Sequence, residues 1–183
     1  MKHLRVLFLL VPALWSCSEA PRNAESAPEA PSTGSSIAGA DSGSVDYVGL
    51  RYGSLPSGLE ELGGSLLDFV DEPEYALVLV AAGSRQMLWL NRFTHRDDEG
   101  KAHWDVRAVL QLPALRGDEL LSYGGFCQLD GEHDAEVVAI VQAEDAASFT
   151  TVRRAWRANR SLERFEEMPT SGVACVNEGY DAF

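Results

Sequence analysis

Residues 75–81 read Tyr-Ala-Leu-Val-Leu-Val-Ala, an unbroken apolar run that ends at Gly83-Ser84, the pattern of a central strand entering a turn. From Met87 the pattern alternates. Met87, Trp89, Asn91 and Phe93 fall on one side, Leu88, Leu90, Arg92 and Thr94 on the other, and the polar stretch 96–100 closes the segment. The next segment sets Trp104, Val106, Ala108 and Leu110 against Asp105, Arg107 and Gln111, and stops at Pro113. A period of two belongs to extended chain, so the three segments predict an antiparallel meander.

The second half repeats the theme less regularly. Residues 136–142 (Glu-Val-Val-Ala-Ile-Val-Gln) predict another strand. Residues 149–158 fit two readings, because Phe149, Val152 and Trp156 also satisfy helical spacing. The Thr150-Thr151-Val152 stretch favours the extended form, and Asn159-Arg160-Ser161 then makes a turn into a strand over 162–168. Upstream, Ser57-Gly58-Leu59-Glu60 has the form of a capping box, and Leu59, Leu62 and Leu66 follow at helical spacing. This predicts a short helix, weakened at Gly63-Gly64 by about 1 kcal/mol per glycine. The expected fold is mainly β, with α+β left open: an antiparallel sheet or meander of about six to eight strands and one or two short helices.

The N-terminal residues follow neither period. A basic start (Lys2, Arg5) leads into an apolar run over 6–15 and then Ser16-Cys17. The run covers about half of the roughly 20 residues a membrane-crossing helix needs, so it reads as an export signal. Leu14-Trp15-Ser16-Cys17 resembles the lipobox of bacterial lipoproteins, with an unusual Trp15 at the second position. That resemblance implies cleavage before Cys17 and lipid (palmitate) on its side chain. With Ser18 next, it also implies placement in the cell envelope, on the outer membrane facing the periplasm. Residues 17–45, rich in Pro, Ala, Ser and Gly, cannot bury enough surface to offset their ordering entropy. The expected organisation is therefore a signal peptide at 1–16, a disordered tether at 17–45 and one globular domain at 46–183.

Charge narrows the function classes. Loss of Lys2 and Arg5 with the signal takes the net charge from −13 to −15. Such a field repels nucleic acid and attracts basic partners. The expected contacts are the membrane through the N-terminal lipid and a basic envelope or host protein, with no nucleic acid. If Cys17 carries lipid, Cys127 and Cys175 are the two cysteines left, in a compartment where disulfides persist, and they are expected to pair.

Candidate chemistry is sparse. The loop Asp130-Gly131-Glu132-His133-Asp134 resembles the acidic calcium loops of integrin-type and EF-hand repeats. By that resemblance Asp130, Glu132 and Asp134 are candidate Ca²⁺ ligands, although an acidic turn is the preferred reading and no cofactor is expected. His95 and His103 flank a predicted hairpin turn without zinc-binding spacing. Gly64-Ser65 and Gly83-Ser84 lack the GxSxG pattern of a nucleophile elbow. Glu60-Glu61 and Glu166-Glu167 are adjacent and diverge. Arg153, Arg154, Arg157, Arg160 and Arg164 concentrate positive charge, either as an anion or lipid-phosphate site or as partners for Glu163, Glu166 and Glu167. The second is preferred. Trp89, Trp104 and Trp156 read as core.

No catalytic role is expected. The leading expectation is a non-catalytic binding or structural module. One alternative is an inhibitor of a basic cell-wall hydrolase, since small acidic β-rich lipoproteins with one disulfide resemble the periplasmic lysozyme inhibitors in general plan. Another is a lipid-anchored hydrolase whose site only folding assembles.

Overall fold

The computed structural model describes residues 46–68 and 73–180. The predicted signal, Cys17 and the tether lie outside the described residues. Within them the chain forms thirteen strands in three sheets, every pairing antiparallel, and no helix.

The first sheet is contiguous in sequence: β1 (Arg51–Tyr52), β2 (Glu60–Leu66), β3 (Tyr75–Ala82), β4 (Arg85–Arg96) and β5 (Ala102–Gln111), in the order β1-β5-β4-β3-β2. The other two sheets alternate along the rest of the chain. β6 (Glu119–Ser122), β9 (Val137–Gln142), β11 (Val152–Asn159) and β12 (Arg164–Met168) make the second, in the order β12-β11-β9-β6. β7 (Cys127–Leu129), β8 (Glu132–His133), β10 (Ser148–Phe149) and β13 (Val173–Val176) make the third, in the order β10-β13-β7-β8.

The second sheet is the middle layer, which accounts for the unbroken apolar run in β9. Val138 and Ile140, with Trp156 and Ala158 of β11, pack on Leu77, Leu88 and Leu90 of the first sheet. Val137, Ala139 and Val141, with Ala155, pack on Cys127, Phe149, Val173 and Cys175 of the third. A strand buried on both faces has no polar side to alternate with. The first sheet is also covered twice. Val78, Val80, Met87, Trp89 and Val106 lie beneath Tyr47, Leu50, Tyr52, Leu55 and Leu59. Trp89 is wholly buried there, with the Tyr47 and Tyr52 rings 5.0 and 5.8 Å from its own. Trp156 is buried as expected, whereas Trp104 is only half-buried, edge-on to Phe93.

Three expectations need correction. Residues 60–66 are strand β2, paired with β3, and not a helix. Two glycines remove the helix's local support, while the apolar edge of β3 offers a full ladder of hydrogen bonds. The leucines at helical spacing scatter accordingly: Leu59 joins the core, and Leu62 and Leu66 are exposed. Second, Val106 and Ala108 do not share a face. Asn91 pairs with Val106 and Leu90 with Ala108, so Arg107 is an extra, bulged residue that reverses the alternation. Third, thirteen strands replace the expected six to eight. Residues 152–159 take the extended alternative, and the turn read at 159–161 precedes β12.

Candidate functional site

Cys127 and Cys175 are direct cross-strand partners on β7 and β13 and form a disulfide, with their Cα atoms 4.0 Å apart. Both are buried at the interface of the second and third sheets.

The acidic loop is a tight β7–β8 connection, with Asp130 and Gly131 both at positive φ. The Asp130 amide donates to the Gly172 carbonyl at 2.8 Å. Glu132 is exposed, and both oxygens of Asp134 are occupied: Oδ1 accepts from the Glu136 amide and Oδ2 from Arg157. Among the described residues no three His, Cys, Asp or Glu side chains gather into a group that could hold a metal ion.

The arginine cluster is dispersed into ion pairs. Arg154 pairs with Glu167 and Arg164 with Glu166. Arg157 reaches Asp134 and Glu136, and Arg160 reaches Glu136 and Asp68, partners the sequence did not indicate. Arg153 donates to Gln142. Glu163, in the β11–β12 turn at a φ of 49°, leaves this cluster and crosses to the first sheet. It accepts from Arg107 Nε at 2.8 Å and from the Tyr75 hydroxyl at 3.1 Å. Burial opposes its ionisation, but the hydrogen bonds from Arg107 and Tyr75 and the charges of Arg107 and Arg92 outweigh it. The carboxyl is therefore held below its ordinary range.

His95 and His103 do meet, stacked across the β4–β5 hairpin with ring centroids 4.6 Å apart. His103 Nε2 lies 3.0 Å from Asp97 Oδ2, while Asp97 Oδ1 accepts the amides of Glu99 and Lys101. The contact with His103, followed by those amides, lowers the Asp97 pKa. The carboxylate thus organises the hairpin turn.

A cleft with exposed apolar walls lies elsewhere. Between β6 and the end of β13 opens a cleft of about 400 Å³ with Phe149 in its lining, and Leu120, Phe126 and Val176 line it while remaining exposed. Glu178 is the sole ionised side chain in its lining. Gly64 and Ser65 of β2 separate it from a second cavity of about 280 Å³ lined by Tyr52, Glu61 and Trp104. Burial, and secondarily the Glu61 charge, raise the phenol pKa of Tyr52 and of Tyr123. Sequence reasoning passed over this cleft because its apolar walls come from three separate segments, each carrying a single exposed residue.

Fold and site together define a three-layered antiparallel β protein with a cross-strand disulfide and an apolar cleft at its sheet edges. No protein-family model matches the chain, and no curated protein or solved structure matches it. No described helix is long and apolar enough to cross a membrane.

Proposed function

We propose that the protein is a non-catalytic binding module of the bacterial envelope, anchored by lipid on Cys17 and directed at a basic protein partner. The observation that carries this reading is the distribution of charge. Arg92, Arg107, Arg116, Arg154, Arg157, Arg160 and Arg164 are all engaged with carboxylates. Glu60, Glu61, Asp98, Glu99, Asp145 and Glu178 are exposed and stand in no ion pair among the described residues. Arg85, Arg96, Lys101 and Arg153 are exposed outside these pairs, but the exposed unpaired carboxylates outnumber them, so the uncompensated charge facing solvent is negative. Such a surface accelerates encounter with cationic proteins, and screening over about 8 Å at physiological salt weakens the effect.

The test is titration of the detergent-solubilised protein against two basic proteins, a lysozyme and a cytochrome c, and an acidic control, at low and high ionic strength. Saturable binding to a basic protein that weakens with salt is expected. Its absence at both ionic strengths overturns the reading. Loss of lytic activity on binding would specify a hydrolase inhibitor. The anchor is tested separately: wild type should partition into detergent and Cys17→Ala should not, and equal partitioning would remove the lipid from the proposal.

A further inference from the structure

The edges of the three sheets are not equally protected. β1, β8 and β10 are two residues long. β12 carries Arg164, Glu166 and Glu167, charges of the kind that guard an edge against pairing. β2 is bulged near Leu62 and covered by the 123–125 loop, where Ser65 Oγ donates to the Gly124 carbonyl at 2.9 Å. β6, four residues long, has no bulge and carries its one charge at the first position, Glu119. It pairs with β9 on one side only.

Its hydrogen-bonding phase is fixed by the bond from the Ala143 amide to the Asp118 carbonyl, at 2.8 Å. Alternation along an antiparallel pair then turns Leu120 and Ser122 toward β9 and leaves Glu119 and Leu121 facing outward. The Glu119 amide is taken by the Arg116 carbonyl at 3.0 Å. The Leu121 amide and carbonyl have no main-chain partner among the described residues. Leu121 also lines the apolar cleft, beside the exposed Leu120, Phe126 and Val176. An extended main chain presents a donor and an acceptor at the spacing that Leu121 offers. The ionised side chains of the cleft and of its neighbouring cavity are Glu178 and Glu61, both acidic and unpaired, with no lysine or arginine in either lining.

We propose that this cleft is a strand-addition site: an extended apolar segment of a basic partner protein lays its main chain along β6 and buries a side chain among Leu120, Phe126, Phe149 and Val176. The inference rests on the basic-partner reading above and supplies its docking surface. Alternate side chains of the bound segment enter the cleft, and Lys or Arg flanking the segment meets Glu61 and Glu178.

The probe is a displayed library of random twelve-residue peptides panned against the detergent-solubilised protein. Enriched peptides should share alternating apolar positions with flanking Lys or Arg. In the tightest of them, N-methylation of one alternate set of amides should cost about tenfold or more in affinity and of the other set under about threefold, because only one set faces β6. Leu120→Asp and Val176→Asp should each weaken binding about tenfold, whereas Leu162→Asp, at an exposed leucine outside the cleft lining, should leave it unchanged. The site is overturned if no peptide is enriched, if both methylation sets act alike, or if Leu120→Asp and Val176→Asp bind as wild type. The methylation comparison uses wild-type protein, so a variant that misfolds does not weaken the test. If lysozyme or cytochrome c binds the Leu120→Asp/Val176→Asp double variant with undiminished, salt-sensitive affinity, the site falls and the basic-partner reading stands. If neither peptides nor basic proteins bind wild type, both fall.

Discussion

Replacing both bridge cysteines, Cys127→Ala with Cys175→Ala, removes the covalent closure of a loop whose ends are 48 residues apart. In the chain-entropy picture a closure of that length restricts the unfolded ensemble by about 4 kcal/mol. The folded state loses little else, because β7 and β13 keep their pairing at Val173↔Leu129 and Ala174↔Gln128. Unfolding entropy of about 2.1 cal/mol/K per residue converts the loss into a fall in Tm of about 10–15 °C for a domain of this size. The assay is thermal unfolding followed by far-ultraviolet circular dichroism, with thiol titration of wild type confirming the bridge. The loop is long because β9, β11 and β12, three strands of the middle layer, lie inside it. A fall in Tm of less than about 3 °C would refute the reasoning, since it would mean that the unfolded chain is already restricted without the bridge.

Two further outcomes follow from particular contacts. Glu163→Gln leaves Arg107 and Arg92 without their shared carboxylate and should cost about 1–2 kcal/mol at pH 7, measured by urea unfolding. Because the folded carboxyl is held below its ordinary value, that difference from wild type is full above about pH 4.3 and shrinks as pH falls through the lowered folded value. A difference that grows on acidification would contradict the assignment. Gly124→Ala combines a positive φ with a Cβ placed 2.3 Å from that of Ser65, whereas Gly100→Ala has a similar φ but open space. The second should cost about 1 kcal/mol and the first at least twice that, and equal costs would show that the 123–125 loop does not press on β2.

What the sequence discloses here depends on how local the determining interaction is. β3, β4 and most of β5 were legible because each is long enough to display its own period, and β9 because continuous apolarity marks a strand buried on both faces. Residues 59–66 misled because three leucines at helical spacing are a local signal, while the ladder with β3 that overrides them is tertiary. The bulge at Arg107 was not legible at all. The ion pair that accompanies it is with Glu163, 56 residues away. The third sheet escaped notice because β7, β8, β10 and β13 have two to four residues each, too few to show a period. The disulfide was read from the two cysteines that remain once Cys17 is set aside for lipid in an oxidising compartment. The open edge of β6 required the hydrogen-bonding phase set at Asp118 and Ala143, which no side-chain pattern encodes.

The order in which strands join the sheets has a temporal consequence for a chain made from its N-terminus. The first sheet is complete in sequence at Gln111, yet its inward Leu77, Leu88 and Leu90 await Val138, Ile140 and Trp156, and the third sheet is not closed until Val173 to Val176 arrive. At roughly 5–20 residues per second, the 45 residues from Gln111 to Trp156 take about 2–9 s to synthesise. Throughout that interval a finished sheet presents an uncovered greasy face, a substrate for holdase chaperones and a nucleus for aggregation. Because β13 is both the last strand and the carrier of Cys175, a ribosome that stops early releases a chain with neither its third layer nor its covalent lock.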